Sequence, residues 1–180
     1  VGNVGSKVVA AARAIGMNVL QNDPPRARRE KKNTFVTLER ILRESDIITL
    51  HVPYTRDGHD RTHYLINSGN IYNMKQGSFL FNSSRGEGVD NTALLGALQR
   101  GHLAGTVLDV WEGGPEAARR LIARADISTP HIAGYSVDGK ANGTIKAVHE
   151  VAAALGLPLT EWRPSSLPLP ANPEIDLTPY

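Results

Sequence analysis

Val1-Gly2-Asn3-Val4-Gly5 leads into a helical pattern in which Val4, Val8, Ala11, Ala12 and Ile15 fall on one face and Gly16 stops the helix. Met17-Asn18-Val19-Leu20-Gln21 follows as a short apolar run, and Asp23 comes directly after it. Glycine turn, helix, strand and acid in that order predict a strand-to-helix unit of a parallel sheet.

Working outward, the alternation continues. Thr37 caps a helix bearing Leu38, Ile41 and Leu42, and Ile47-Ile48-Thr49-Leu50 gives the next strand. A short helix is expected over 68–74, a strand over 78–81, and a helix capped at Asn91 and carrying Leu94, Leu95 and Leu98. A strand over 106–108, a helix opened by Pro115 and running to 124, and a strand over 127–129 follow. Ile145, Val148, Ala152 and Leu155 mark the inner face of a long final helix. Strands alternating with helices predict an α/β class, a Rossmann-type doubly wound parallel sheet. The strand expected ahead of the glycine turn is missing from the chain, which leaves a gap in the middle of the expected 3-2-1-4-5-6 order.

Glycines at a helix start let phosphates approach the backbone N–H groups, because no Cβ stands in the way. Gly2 and Gly5 have the spacing of the last two glycines in G-x-G-x-x-G, the first of which would precede Val1. Asp23 lies 18 residues beyond Gly5, where a carboxylate accepts hydrogen bonds from ribose hydroxyls. The combination predicts a dinucleotide site, and the acid favours NAD over NADP. Arg26, Arg28 and Arg29 leave three readings open: partners for a 2′-phosphate, flanks of an adenine, or a solvated loop.

Two further residues fit oxidation of a hydroxy acid, which needs a cation for the carboxylate and a base for the hydroxyl proton. Arg85, in Asn82-Ser83-Ser84-Arg85-Gly86, follows one predicted strand, and His131, in Thr129-Pro130-His131-Ile132-Ala133-Gly134-Tyr135, follows another. Both are thereby placed at the carboxyl edge of the sheet, where doubly wound folds bind their ligands.

With 180 residues, 41% of them hydrophobic, the chain has material for one substantial core. Residues 1–156 read as one domain. Pro158, Pro164, Pro168, Pro170, Pro173 and Pro179 make 157–180 an extended linker. A net charge of +2, from 20 basic and 18 acidic residues, argues against a nucleic-acid partner. Absence of cysteine excludes disulfides and thiolate chemistry. No apolar run is long enough for a membrane span and no secretory signal is read, so a cytoplasmic location is expected. No metal site is expected.

Several blocks resemble the D-isomer-specific 2-hydroxyacid dehydrogenase family in that family's own order. They are Gly2-Asn3-Val4-Gly5, Asn82-Ser83-Ser84-Arg85-Gly86, Val107-Leu108-Asp109-Val110-Trp111-Glu112 and Pro130-His131-Ile132-Ala133-Gly134-Tyr135. Asp23-Pro24-Pro25-Arg26, Asp57-Gly58 after His51-Val52-Pro53, and His131-Ile132-Ala133-Gly134-Tyr135-Ser136-Val137-Asp138-Gly139-Lys140 are similar to its erythronate-4-phosphate dehydrogenase branch. The resemblance implies NAD-dependent oxidation of 4-phospho-D-erythronate to 3-hydroxy-2-oxo-4-phosphobutanoate, in vitamin B6 biosynthesis. It implies Arg85 as substrate-orienting residue, His131 as proton acceptor or donor, and Tyr135 as substrate contact. It also implies cofactor contacts at Asn3, Val4, Asp23, Val52, Asp109 and Gly134. A separate substrate domain, a C-terminal dimerisation domain beginning near 157–180 and a homodimer belong to the same pattern. One position departs from it: the family's catalytic glutamate is expected where this chain has Gly114, and neither Glu112 nor Glu116 aligns with it.

Overall fold

A computed structural model describes residues 1–31 and 34–168; Pro170, Pro173 and Pro179 of the expected linker lie outside them. The chain divides into two compact units, Val1–His131 and Ile132–Tyr180.

In the first unit, four parallel strands, β1 (Ile47–Leu50), β2 (Phe79–Asn82), β3 (Gly105–Leu108) and β4 (Ile127–Ser128), pair in chain order. Parallel strands need crossovers. Helix α4 (Asn91–Gln99) makes the one between β2 and β3, and α5 (Gly114–Ala117) with α6 (Arg119–Ile122) makes the one between β3 and β4. Ahead of β1 stand α1 (Asn3–Ala14), α2 (Pro24–Glu30) and α3 (Leu38–Glu44). Leu50, Asn82, Leu108 and Ser128 are consecutive Cα partners, so the strands end in one row.

Ile48, Leu50, Leu80 and Leu108 point into a core completed by Leu42, Ile66, Ile71, Leu94 and Leu98. Burying each side chain of this size contributes roughly 1.5–3 kcal/mol. In this unit α2, α3 and α4 start on side-chain caps, Asp23, Thr37 and Asp90.

The α/β class and the parallel sheet agree with the sequence reading, but several elements do not. Residues 17–21 form no strand; among the described residues Asn18, Val19 and Leu20 have no backbone–backbone hydrogen-bond partner, and a strand exists only through a partner's ladder. Within 68–74 only a single 3₁₀ turn forms, Ile71–Asn73, and the helix expected over 115–124 breaks into α5 and α6 at Ala118. The cap of α4 is Asp90 rather than Asn91. Along α1 the packed face is Gly5, Val8, Val9 and Ala12, while Val4 and Ile15 are 60% and 75% exposed. Gly5 is the buried residue of that face, and a Cβ there would make ordinary contacts at 3.5 Å with His51 Cβ and 3.6 Å with Val1 Cγ1.

The second unit is built on α7 (Val137–Leu155), capped by the Ser136 hydroxyl accepting from Gly139 N–H and ended at Gly156, whose φ of +65° suits glycine. Ala152 is buried and Ile145 and Val148 are half-buried, but Leu155, expected inside, is 68% exposed. Residues 157–168 contain neither helix nor strand. Among the described residues no helix is long and apolar enough to cross a membrane.

Candidate functional site

Because the strands are parallel and end in one row, the segments that follow them share one edge. His51 and Val52 follow β1, Arg85 follows β2, Asp109 follows β3 and His131 follows β4. The strands carrying Arg85 and His131 lie two strand spacings apart, roughly 9.5 Å.

The loop bearing Arg85 is held by its own sequence. Asn82, buried at the end of β2, donates from Nδ2 to the Arg85 carbonyl at 2.9 Å and accepts at Oδ1 from Ser84 N–H and Ser84 hydroxyl. The exposed Arg85 guanidinium donates to the Ser84 carbonyl at 2.7 Å. At the next position only glycine fits, since a Cβ on Gly86 would lie 2.2 Å from the Trp111 carbonyl carbon. Gly86→Ala is therefore expected to cost about 2–3 kcal/mol by overpacking, a fall in Tm of roughly 4–12 °C. An unchanged melting curve would contradict this account.

The loops after β3 and β4 are tied together. Thr129 donates its hydroxyl to Asp109 Oδ1 at 2.6 Å, and the Trp111 indole donates to the Thr129 carbonyl at 3.1 Å. His131 has φ +60°, a left-handed conformation that is uncommon for a non-glycine residue and concentrates at functional sites.

Glu112 is committed elsewhere. Its carboxylate accepts from the Tyr64 hydroxyl and, at 3.4 Å, from Asn91 N–H at the start of α4. That hydrogen bond, with burial and the Glu112 charge, pushes the Tyr64 hydroxyl up to about 12. Gly114 begins α5 at φ +83°, with open space where a Cβ would be. Of the two carboxylates flanking it, Glu112 is thus engaged by Tyr64, and Glu116 pairs with Arg119.

At the chain's start the glycine turn and the acid do meet. Asp23 Oδ2 accepts from the Val1 ammonium, and Oδ1 caps α2 by accepting from Arg26 N–H at 3.0 Å. Burial works to raise the Asp23 pKa, but the bonds to the Val1 ammonium and Arg26 N–H, with the charges of that ammonium and Arg26, win and hold it below 3.8.

The arginine cluster turns out not to be a loop. Arg26 lies in α2, bonds Glu30 at 2.6 Å and the Val1 carbonyl at 2.6 Å, and stacks over Phe35. Arg28 pairs with Asp60, and Arg29 is largely exposed. Asp23 before two prolines carries the helix signal in plain sight, an acidic cap followed by proline in the first turn.

His51 escapes a sequence reading. It follows β1, bonds Thr49 Oγ1 at 3.0 Å and faces Gly5. Its only advance signal is its place directly after a predicted strand. Burial first, and then the Val1 ammonium, lower its pKa from 6.5. A depressed base resists protonation in the fold, so the unfolded chain takes up the proton first as pH drops. Stability is full above about pH 6.5 and falls below it, and the loss levels off once pH passes the folded-state value. His51→Gln should flatten this part of the stability profile in urea titrations; an unaltered slope would locate it in another group.

Within the second unit, Gly134 has open space around it, and Tyr135 is exposed with the Lys140 ammonium 4.8 Å from its ring centroid.

The first unit has the donor set a nicotinamide dinucleotide requires. Helix α1 has no acidic residue in its first turn, and a Cβ on Gly2 would meet nothing within 4 Å, so the backbone there is open to a pyrophosphate. Asp23 stands beside it, held in the ionised form that accepts from hydroxyls. Among the described residues, no group of three or more His, Asp or Glu is arranged to hold a metal ion.

Residues 1–133 match the family described as D-isomer specific 2-hydroxyacid dehydrogenase, NAD binding domain. The chain is 44% identical over 178 residues to erythronate-4-phosphate dehydrogenase of Pectobacterium carotovorum, covering 99% of this chain and 47% of that protein. It is 43% identical over 177 residues to the protein of the same name from Bacteroides thetaiotaomicron, covering 98% and 50%. Among solved structures it is similar to D-lactate dehydrogenase from Aquifex aeolicus complexed with NAD and lactic acid, with 33% identity and a TM-score of 0.64. That match covers 86% of this chain and 51% of the other. An NAD-complexed D-isomer specific 2-hydroxyacid dehydrogenase from Lactobacillus delbrueckii ssp. bulgaricus gives 29% identity and a TM-score of 0.68, covering 92% and 53%. The chain spans about half the length of these relatives.

Proposed function

We propose a function from the premise that this chain belongs to the D-isomer-specific 2-hydroxyacid dehydrogenase family, whose NAD-binding domain its residues 1–133 match. In our reading it is the cofactor half of an NAD-dependent oxidoreductase acting on a phosphorylated D-2-hydroxy acid. The substrate is 4-phospho-D-erythronate and the product 3-hydroxy-2-oxo-4-phosphobutanoate, on the route to pyridoxal phosphate. The names of its relatives support this choice.

The observation that carries the reading is the common edge on which Arg85 and His131 follow aligned strands. Arg85 presents a planar guanidinium that grips the substrate carboxylate bidentately. His131 takes the hydroxyl proton onto an imidazole nitrogen. NAD, when bound, would supply the hydride acceptor for this oxidation. Gly2, Asn3, Val4 and Gly5 hold the pyrophosphate at the amino end of α1, and Asp23 holds the adenosine ribose. Val52, Asp109 and Gly134 complete the cofactor contacts, and Tyr135 reaches the substrate. Residues 1–156 serve as the NAD-binding domain and 157–180 as the connector to a dimerisation domain, in a cytoplasmic homodimer.

A second reading, a dinucleotide-binding module without turnover, is favoured by Gly114 together with the engagement of Glu112 by Tyr64. NADH titration followed by fluorescence tests what the two share: saturable binding is expected, and its absence in a folded sample removes both. An assay of NADH formation separates them, using a form of the protein that also carries a substrate domain. Oxidation of 4-phospho-D-erythronate in preference to 3-phosphoglycerate or D-lactate supports the enzyme, and no turnover with any of the three supports the module.

A further inference from the structure

Tyr64 has a φ of +51°, a left-handed backbone that a bulky side chain adopts only where its surroundings hold it. Those surroundings are the stretch that follows Arg85. Tyr64 N–H donates to the Glu87 carbonyl at 2.8 Å, Ile66 N–H to the Gly88 carbonyl at 3.2 Å, and Asp90 N–H to the Ile66 carbonyl at 2.9 Å. Residues 64–66 thus run beside 87–90, and Ile66 and Val89 form a parallel bridge. Glu112 comes from another side. The Trp111–Glu112 peptide lies so close to Gly86 that a Cβ there would stand 2.6 Å from Glu112 N. The Glu112 carboxylate meets the far end of the same stretch, where Oε2 accepts from Asn91 N–H at 3.4 Å, and Oε1 accepts from the Tyr64 hydroxyl. Residues 86–91 are therefore clasped between Tyr64 and Glu112, and one side-chain hydrogen bond closes the clasp.

We infer that Tyr64 and Glu112 are a pair of positioning residues, which close around the stretch after Arg85 and fix the direction in which its guanidinium meets a substrate carboxylate. This rests on the role proposed for Arg85. Bidentate recognition depends on the orientation of the guanidinium plane, so the backbone that carries it has to be held. Asn82 holds the loop where it leaves β2, and the guanidinium bonds only inward, to the neighbouring Ser84 carbonyl. Tyr64 and Glu112 hold the loop where it returns toward α4. A carboxylate at the start of α4 would stabilise that helix by itself. The Tyr64 bond is what joins it to the other wall of the loop. That bond persists across the working pH range, since the Glu112 acceptor, burial and the Glu112 charge push the Tyr64 hydroxyl up to about 12 and keep it a donor. His63 stacks on the Tyr64 ring at a centroid distance of 4.0 Å, so Tyr64→Phe keeps the ring's neighbour and deletes the bond.

Amide hydrogen exchange of the chain, read by mass spectrometry, tests the clasp. Tyr64→Phe should speed exchange in 86–90 roughly tenfold more than in β3. Positioning is read in a form of the protein that also carries a substrate domain, as the affinity of its NADH-loaded state for 4-phospho-D-erythronate. NADH fluorescence follows this binding without turnover. Tyr64→Phe and Glu112→Ala should each weaken it roughly tenfold or more with NADH affinity unchanged, and the double variant should lose no more than either. Glu112→Gln keeps an acceptor for the hydroxyl and should recover part of the loss. In an Arg85→Lys background, which lacks the bidentate fork, Tyr64→Phe should add nothing. Unchanged exchange in 86–90 overturns the clasp. Faster exchange with unchanged hydroxy-acid affinity, or an equal loss in the Arg85→Lys background, overturns the positioning role. A parent that binds NADH but no hydroxy acid gives a different result, which removes the role of Arg85 and the purpose of the pair with it.

Discussion

In a form of the protein that also carries a substrate domain, Gly114→Glu is expected to raise kcat for 4-phospho-D-erythronate by roughly 10²–10⁴-fold, the usual worth of a well-positioned acid–base pair. A carboxylate beside His131 would orient the imidazole and stabilise its protonated form. Neither neighbouring glutamate supplies that group: Glu112 is held by Tyr64 and the start of α4, and Glu116 pairs with Arg119. The substitution meets no steric bar, since nothing lies within 4 Å of the added Cβ. It does meet a conformational one. With φ at +83°, an L-residue costs roughly 1–2 kcal/mol, so a modest fall in Tm should accompany the gain in rate. A variant that melts a few degrees lower and turns over no faster would mean that the missing glutamate is not what limits this chain.

The second large effect concerns the cofactor. Asp23→Asn is expected to weaken NADH binding roughly 10–100-fold, the value of one or two hydrogen bonds to a charged acceptor. Asparagine is the informative replacement because it remains a good N-cap for α2, whereas alanine would add about 1 kcal/mol of helix destabilisation and confuse the two losses. The carboxylate has capacity for the ribose. One oxygen serves the Val1 ammonium and the other Arg26 N–H, and an ionised carboxylate offers about four acceptor sites. Relief of charge repulsion should let Asp23→Asn bind NADPH nearer to NADH than the parent chain does. Unchanged NADH affinity in the asparagine variant would remove Asp23 from the ribose site.

Acid stability offers a check on the same carboxylate. Its folded-state pKa lies below 3.8, so its contribution is present above that value and is lost as pH falls further, through the folded-state value. The His51 slope begins near pH 6.5 and is well separated from it.

How far the sequence could be read varies with the kind of structure. Strands β1 to β4 were legible to within a residue or so, because each is a compact apolar run bounded by turn formers. Segment 17–21 has the same composition and is no strand, since composition cannot supply the neighbour that a ladder needs. Helix α2 carried its signal at Asp23-Pro24-Pro25, but a cap before proline also describes a turn, and only the pairing of Arg26 with Glu30 and the Val1 carbonyl decides for the helix. The face that α1 packs was misplaced by about one position, because periodicity marks apolar side chains while the buried residue of that helix is a glycine, which has none.

For the candidate site, residue types and their order along the chain were set by the sequence alone: glycines before a helix, an acid after it, an arginine and a histidine each just past an apolar run, and Gly114 in place of a carboxylate. Tertiary structure decided what those residues have in common. Only in-register parallel pairing brings the ends of β1, β2, β3 and β4 into one row, and only packing commits Glu112 to Tyr64, wedges Gly86 against Trp111 and sets His51 against the glycine turn. The physical reason is range: caps, turns and apolar periods act over a few residues and are written locally, whereas register and close packing join segments tens of residues apart and exist only once the sheet has formed.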